Sequence, residues 1–268
     1  MRILGSLLCV IGAPLLLHGC SDASGPAGPD PTDPPNDPGE NEPPPAFNSE
    51  AAPGDSARAF LDDRQFTVLS LEVDYMEGFE PTPEGLNDLK ASLSTHLNKS
   101  SIHIASPTSI PAAGEGPYSS DAIRSLEEIH RDHYTRAQSD TVRAYFLVVD
   151  GMYETENVVG IAYYNTSMAF FGPTINEISG GVTQPSRGKV EATVFRHEFG
   201  HNLGLVDNGI PMQEAHRDDG NGRHCTNEQC VMYHTIETTD YFSTVFDGTV
   251  PGFERFCTSD MDAQDGTS

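Results

Sequence analysis

The sequence predicts a domain of the α+β class, and three stretches carry that expectation. Leu69, Leu71, Val73 and Tyr75 alternate with Ser70, Glu72 and Asp74, the period of a strand with one buried face. Val142 to Val149 is almost continuously apolar, as in a central strand covered on both faces. Between them Leu86, Leu89, Leu93 and Leu97 recur at helical spacing and form the stripe by which a helix packs on such strands.

The remaining elements fall into place along the chain. Thr82-Pro83-Glu84 opens the leucine-striped helix with a capping hydroxyl, a proline at the first helical position and an acid in the first turn. Ser101 to Ala105 reads as a short strand. Ser119 and Ser120 can cap a further helix over about 119–137, with Ile123, Leu126 and Ile129 on its buried face. His130 and His133 lie on that helix without a third ligand near them in sequence, so they are read as surface or interface histidines. Asp150-Gly151 ends the central strand, Val158 to Tyr164 and Ser167 to Phe171 follow as strands, and the Gly180-Gly181 loop leads into a helix starting near Gly188.

The chemistry is concentrated in His197 to Asp207, HEFGHNLGLVD. Residues four apart on a helix stand about 6 Å apart along the axis and about 40° round it, so His197 and His201 can present imidazoles to one ion. Glu198, beside the first, can take a proton from a water at the ion without binding the metal. Gly204 lets the helix end in a left-handed turn, and the expectation is that the chain then swings back and brings Asp207 to the ion as third ligand. Three protein ligands leave a fourth position for water, the arrangement of a catalytic zinc.

HExxHxxGxx followed by His or Asp, with a methionine downstream, resembles the metzincin clan of metallopeptidases, and Asp207 resembles the third ligand of its snapalysin-type members. His224-Cys225-Thr-Asn-Glu-Gln-Cys230-Val-Met232 is similar to the archaemetzincin form of the methionine turn, CxxxxCxM. The resemblance implies a metzincin-like zincin: a twisted mixed β-sheet backed by helices, an active-site helix beneath it, and Met232 as a soft floor under the zinc. The helix at about 119–137 is extra to that plan. So is the length of Asn208 to Arg223, a loop placed to wall one side of the cleft. Within it Asp218-Asp219-Gly-Asn221-Gly lacks the ligand register of a calcium loop and reads as a turn. His234 stands where some metzincins carry a tyrosine. The resemblance also implies a structural zinc held by two cysteine pairs, but the second pair here reads Cys257-Thr-Ser-Asp260.

The ends of the chain and its charge set the context. Arg2 and the apolar run Ile3 to Leu17 fit a signal peptide over 1–19, too short for a span of ~20 residues. Leu17-His18-Gly19-Cys20 resembles a bacterial lipobox, which implies lipid on Cys20 and an exported lipoprotein anchored in the cell envelope. Residues 20–55 are rich in Pro, Gly, Asp and Glu and read as a disordered tether; the catalytic domain is placed at 56–268. In an oxidising compartment a disulfide among Cys225, Cys230 and Cys257 is expected, with one thiol left over. A net charge of −25, from 15 basic against 40 acidic residues, argues against nucleic acid as a partner.

These features predict a monomeric endopeptidase with one catalytic Zn²⁺, a second metal being left open along with the roles of His216, His224 and His234. Metzincin-like clefts pair an extended peptide with an exposed strand, and Gly160, Ile161 and Ala162 are the candidate edge. The rival from another class is a non-catalytic, zinc-containing surface protein that binds a partner; Glu198, of no use to a pure zinc scaffold, speaks against it.

Overall fold

The structure is a computed structural model and describes residues 47–114 and 116–264. The signal segment, Cys20 and most of the tether lie outside the described residues.

One mixed sheet organises the chain. Its strands are β1 (Val68–Met76), β2 (Ser101–Ile104), β3 (Thr108–Ile110), β4 (Thr141–Val149), β5 (Gly160–Tyr164) and β6 (Ser167–Phe171), in the order β2-β1-β4-β6-β5. All neighbours pair in parallel except β5, which runs antiparallel to β6 and ends the sheet. The strand expected to be an edge is therefore one. On the other flank β2 and β3 pair in tandem with the two halves of β1, and β3 is too short to announce itself by periodicity.

The alternation along β4 separates two cores. Val142, Ala144, Phe146 and Val148 face a large cluster with Phe60 of the short α1 (Ala57–Leu61), Leu86, Leu89 and Leu93 of α2 (Pro83–His96), Ile175 of the short α4 (Gly172–Glu177) and Phe195 and Phe199 of α5 (Arg187–Asn202). Tyr145, Leu147 and Val149 face a smaller one with Ile123 of α3 (Ser120–His130) and Tyr163. A strand apolar on both faces thus has a helix layer on each. Thr82 caps α2 by accepting from the Gly85 N–H at 3.1 Å, as the sequence predicts.

Helix α3 departs from expectation in its face and its length. Ile129 is 72% exposed, while Glu127 is buried. Arg131 Nη1 donates to Glu127 Oε1 at 2.6 Å and the Ser167 hydroxyl donates to the same oxygen at 2.7 Å, so the buried charge is paired and hydrogen-bonded. That network reaches across to β6; Ile123 and Leu126 still pack on the smaller core as expected, and only Ile129, the last member of the stripe, turns outward. The helix ends at His130 rather than near 137; His130 is half-buried and His133 exposed, as surface histidines should be.

The folded body also begins ahead of Ser56. The Ser49 carbonyl accepts from Thr166 Oγ1 at 3.0 Å, and the Ala51 carbonyl from the Asn165 N–H at 2.9 Å. Gly54 is left-handed (φ 90°), and a Cβ there would fall 1.6 Å from the Asn208 carbonyl oxygen. Residues 47–55, polar enough to read as tether, are held by backbone hydrogen bonds to the β5–β6 turn and by Phe47, whose ring packs edge-on to Phe66 at 5.6 Å.

Candidate metal centre

Helix α5 is capped by Ser186, whose side chain accepts from the Lys189 N–H, and runs under the sheet from Arg187 to Asn202. It presses closely on β5 because Gly160 has no side chain: a Cβ there would sit 2.9 Å from Val194 Cγ1 and 3.0 Å from Glu198 Cγ. Gly200 does the same for the helix's other neighbour, since a Cβ would lie 2.2 Å from Met232 Sδ. Met232 is fully buried against Gly200, in the turn of α5 between His197 and His201.

Three imidazoles converge at this point. His197 Nδ1 lies 2.7 Å from the Val231 carbonyl and donates to it, which leaves the Nε2 lone pair free. His201 Nε2 is 3.2 Å from His197 Nε2. The third ring is His224, stacked on His197 with centroids 5.2 Å apart; its Nδ1 donates to the Asn221 carbonyl at 2.5 Å and its Nε2 also faces inward. With the carboxylate of Glu237, one ligand atom from each of these residues lies within 4.8 Å of every other. Burial, and then the neighbouring rings of His201 and His224, holds the His197 pKa well below its ordinary value. Burial and His224 bring His201 down to about 3. Both rings are therefore neutral at pH 7, the form in which imidazole binds a metal.

Glu198 is buried beside this group, and its Oε1 has no hydrogen-bond partner among the described residues. Burial, reinforced by the charge of Glu237, pushes its pKa well above the usual carboxylate range, while a backbone hydrogen bond from Ala162 of β5 opposes the shift. The carboxylate faces a cavity of about 290 Å³ that is also lined by Ile161, Ala162, Arg223 and the Ala52-Pro53 segment. Arg223 and Asn208 are the part of the 208–223 loop that walls the cleft.

Asp207 is not in the group, which corrects the expectation of an aspartate as third ligand. Gly204, Val206 and Asp207 all adopt left-handed backbone (φ 72°, 58° and 58°), Val206 is buried, and Asp207 is exposed. Its carboxylate is gripped by Arg217 Nη1 at 2.9 Å and Arg223 Nη1 at 3.0 Å. The chain does not swing back after three residues; it runs through the loop and returns at His224. The sequence carried a signal for this, because His224 directly precedes the CxxxxCxM stretch. The Cys225 N–H donates to the Met232 carbonyl at 2.7 Å, so whatever fixes the methionine turn under α5 fixes His224 beside it. His234 lies apart, its Nδ1 3.6 Å from Asp218 Oδ2, and Asp218 forms a turn with Gly220 and Asn221.

The chain is similar to an archaemetzincin. The solved structure is that from Methanopyrus kandleri, with a TM-score of 0.48 and 16% identity over 75% of this chain and 96% of that one. Metalloproteinase-II from Bacteroides fragilis gives 0.40 and 13% over 76% of this chain and 56% of that one. No family model matches the sequence. No curated protein matches it either.

A second group lies behind the methionine turn. Cys225, Cys230 and Cys257 are free, buried thiols, and not the disulfide expected from the compartment. Cys230 Sγ and Cys257 Sγ are 3.5 Å apart, far beyond a bonded pair at about 2.05 Å. His216, from the loop, turns Nδ1 to Cys225 Sγ at 3.3 Å and Nε2 to Asp260 Oδ2 at 2.8 Å. Hydrogen bonds from Cys230 and Cys257, helped by His216, hold Cys225 far below the usual thiol range, and Cys230 is pushed up to about 12 mainly by Cys225. His216, Cys225 and Cys257 offer ligand atoms close enough for one ion, and Cys230 stands against them.

Proposed function

We propose that this chain is a zinc-dependent endopeptidase whose ion is held by His197, His201 and His224 and whose general base is Glu198. The observation that carries the reading is the convergence of three imidazoles beside a buried carboxylate at a cavity bordered by the last strand of the sheet, with His197 and His201 held neutral by burial while the Glu237 carboxylate raises the His224 pKa in the metal-free chain. The donor set fits: imidazole nitrogens suit zinc, and the Val231 and Asn221 carbonyls orient two of the rings from behind.

A bound zinc ion would supply Lewis acidity, polarising the scissile carbonyl and making water a better nucleophile at neutral pH. Glu198 accepts a proton at its carboxylate as the water oxygen bonds to the carbonyl carbon. It returns that proton to the leaving nitrogen as the C–N bond breaks. β5 is the last strand of the sheet among the described residues, and its outer side at Ile161 and Ala162 borders the cavity, where an extended peptide adds as a further strand, so affinity comes from the backbone and selectivity from the cavity wall. Incubation of the purified chain with a mixed peptide library, with and without a chelator, tests the reading. Cleavage that survives complete removal of the metal, or a metal-loaded chain that cleaves nothing, overturns it.

His216, Cys225, Cys230 and Cys257 make a four-donor set for a second, structural zinc, with Asp260 fixing the His216 ring. The wild type is then expected to carry two zinc ions per chain. Cys257→Ser should carry one and lose several kcal/mol, a Tm drop of roughly 10 °C for a domain of this size. Atomic spectroscopy and a thermal melt on the same samples check this, and a single zinc in the wild type would remove the second site.

A further inference from the structure

Glu237 closes the short 3-10 turn His234–Glu237 that follows the methionine turn, and the reaction above makes no use of it. Its backbone is fixed to the sheet, the Val159 N–H donating to its carbonyl at 2.8 Å just ahead of β5. Its side chain is partly exposed to the cavity, and Oε2 lies 3.4 Å from His224 Nε2 and 4.0 Å from His197 Nε2.

The side of the ring it faces decides its role. A carboxylate that merely orients a metal-bound histidine holds the nitrogen pointing away from the ion. On His224 and His197 that nitrogen is Nδ1, and it is already taken by the Asn221 and Val231 carbonyls. Glu237 instead approaches the two Nε2 atoms, on the face where the rings converge. Donors about 2.0–2.1 Å from a tetrahedral zinc stand about 3.3–3.4 Å from one another. The 3.2 Å between His197 and His201 and the 3.4 Å between His224 and Glu237 are such edges.

We propose that Glu237 is a fourth protein ligand of the ion in the resting chain, filling the position that a catalytic site keeps for water. The proposal rests on the three histidines being ligands, as read above. Substrate must then displace the carboxylate, and its exposed path into the cavity lets the side chain rotate away without disturbing its anchored backbone. The resting site is closed, and the chain holds its metal more tightly than three imidazoles alone would.

The test compares full-length wild type, Glu237→Gln and Glu237→Ala. Zinc affinity is measured by competition with a chromophoric chelator. The visible bands of the Co²⁺-substituted proteins are titrated with azide, with thiolate-bound cobalt separated by its near-ultraviolet charge-transfer band. Circular dichroism of the metal-free forms checks folding, and the isosteric glutamine keeps the comparison available should the alanine variant fail to fold. Both variants should bind zinc at this site at least tenfold more weakly, and azide should perturb their cobalt bands at concentrations that leave the wild type unchanged. Equal affinities with equal azide responses overturn the proposal. A wild type with no ion on its histidines overturns this and the peptidase reading together. A Glu237-dependent affinity and spectrum in a chain that cleaves no peptide sinks the peptidase reading alone.

Discussion

Glu198→Gln is expected to leave zinc bound at wild-type stoichiometry while peptide turnover falls by at least the ~10²–10⁴ usually credited to a general base. The side chain is buried and no metal ligand depends on it, so the substitution removes a proton acceptor without removing a donor to the ion. Glutamine keeps the volume, and its amide oxygen can still accept the hydrogen bond from Ala162. Nor should folding suffer. Burial and the Glu237 charge already make an ionised Glu198 costly in the metal-free protein, and a neutral amide avoids that cost. Metal content and turnover measured on one preparation separate the two halves of the expectation. A Glu198→Gln protein of undiminished activity would take the base assignment away from Glu198.

The parts of the fold that were legible in the sequence are those fixed by local period. β1 and β4 show it in their alternation and apolar run, α2 in its leucines and its Thr82 cap, and α5 in the spacing of His197 and His201. What escaped was decided at a distance. Ile123 and Leu126 of α3 follow the apolar period, but the burial of Glu127 rests on Arg131 and on Ser167 of β6, which no helical periodicity within 120–130 encodes. Residues 47–55 carry the composition of a tether but find backbone partners at Asn165 and Thr166. The compartment alone predicts a disulfide among the cysteines, whereas His216, which completes their group, lies in a loop whose path the motif does not specify.

His224→Ala should strip the chain of its catalytic zinc, and Asp207→Ala should not. The sequence reading gives the third-ligand role to Asp207 and leaves that of His224 open, and the surroundings of the two differ in kind. His224 is buried, its outer nitrogen satisfied by Asn221 and its inner one turned to the other rings. Replacing it removes a donor outright, so affinity should fall by more than the ~10–100-fold that loss of an outer-shell partner costs. Asp207 is exposed and engaged with Arg217 and Arg223; exposed pairs of this kind contribute ~1 kcal/mol or less each. Its removal should release the two arginines, with Arg223 at the cavity wall, and change substrate preference before it changes metal content. Zinc retained after dialysis against a weak chelator distinguishes the variants. A zinc-free Asp207→Ala beside a zinc-replete His224→Ala would restore the aspartate as ligand and require the loop 208–223 to rearrange around the ion.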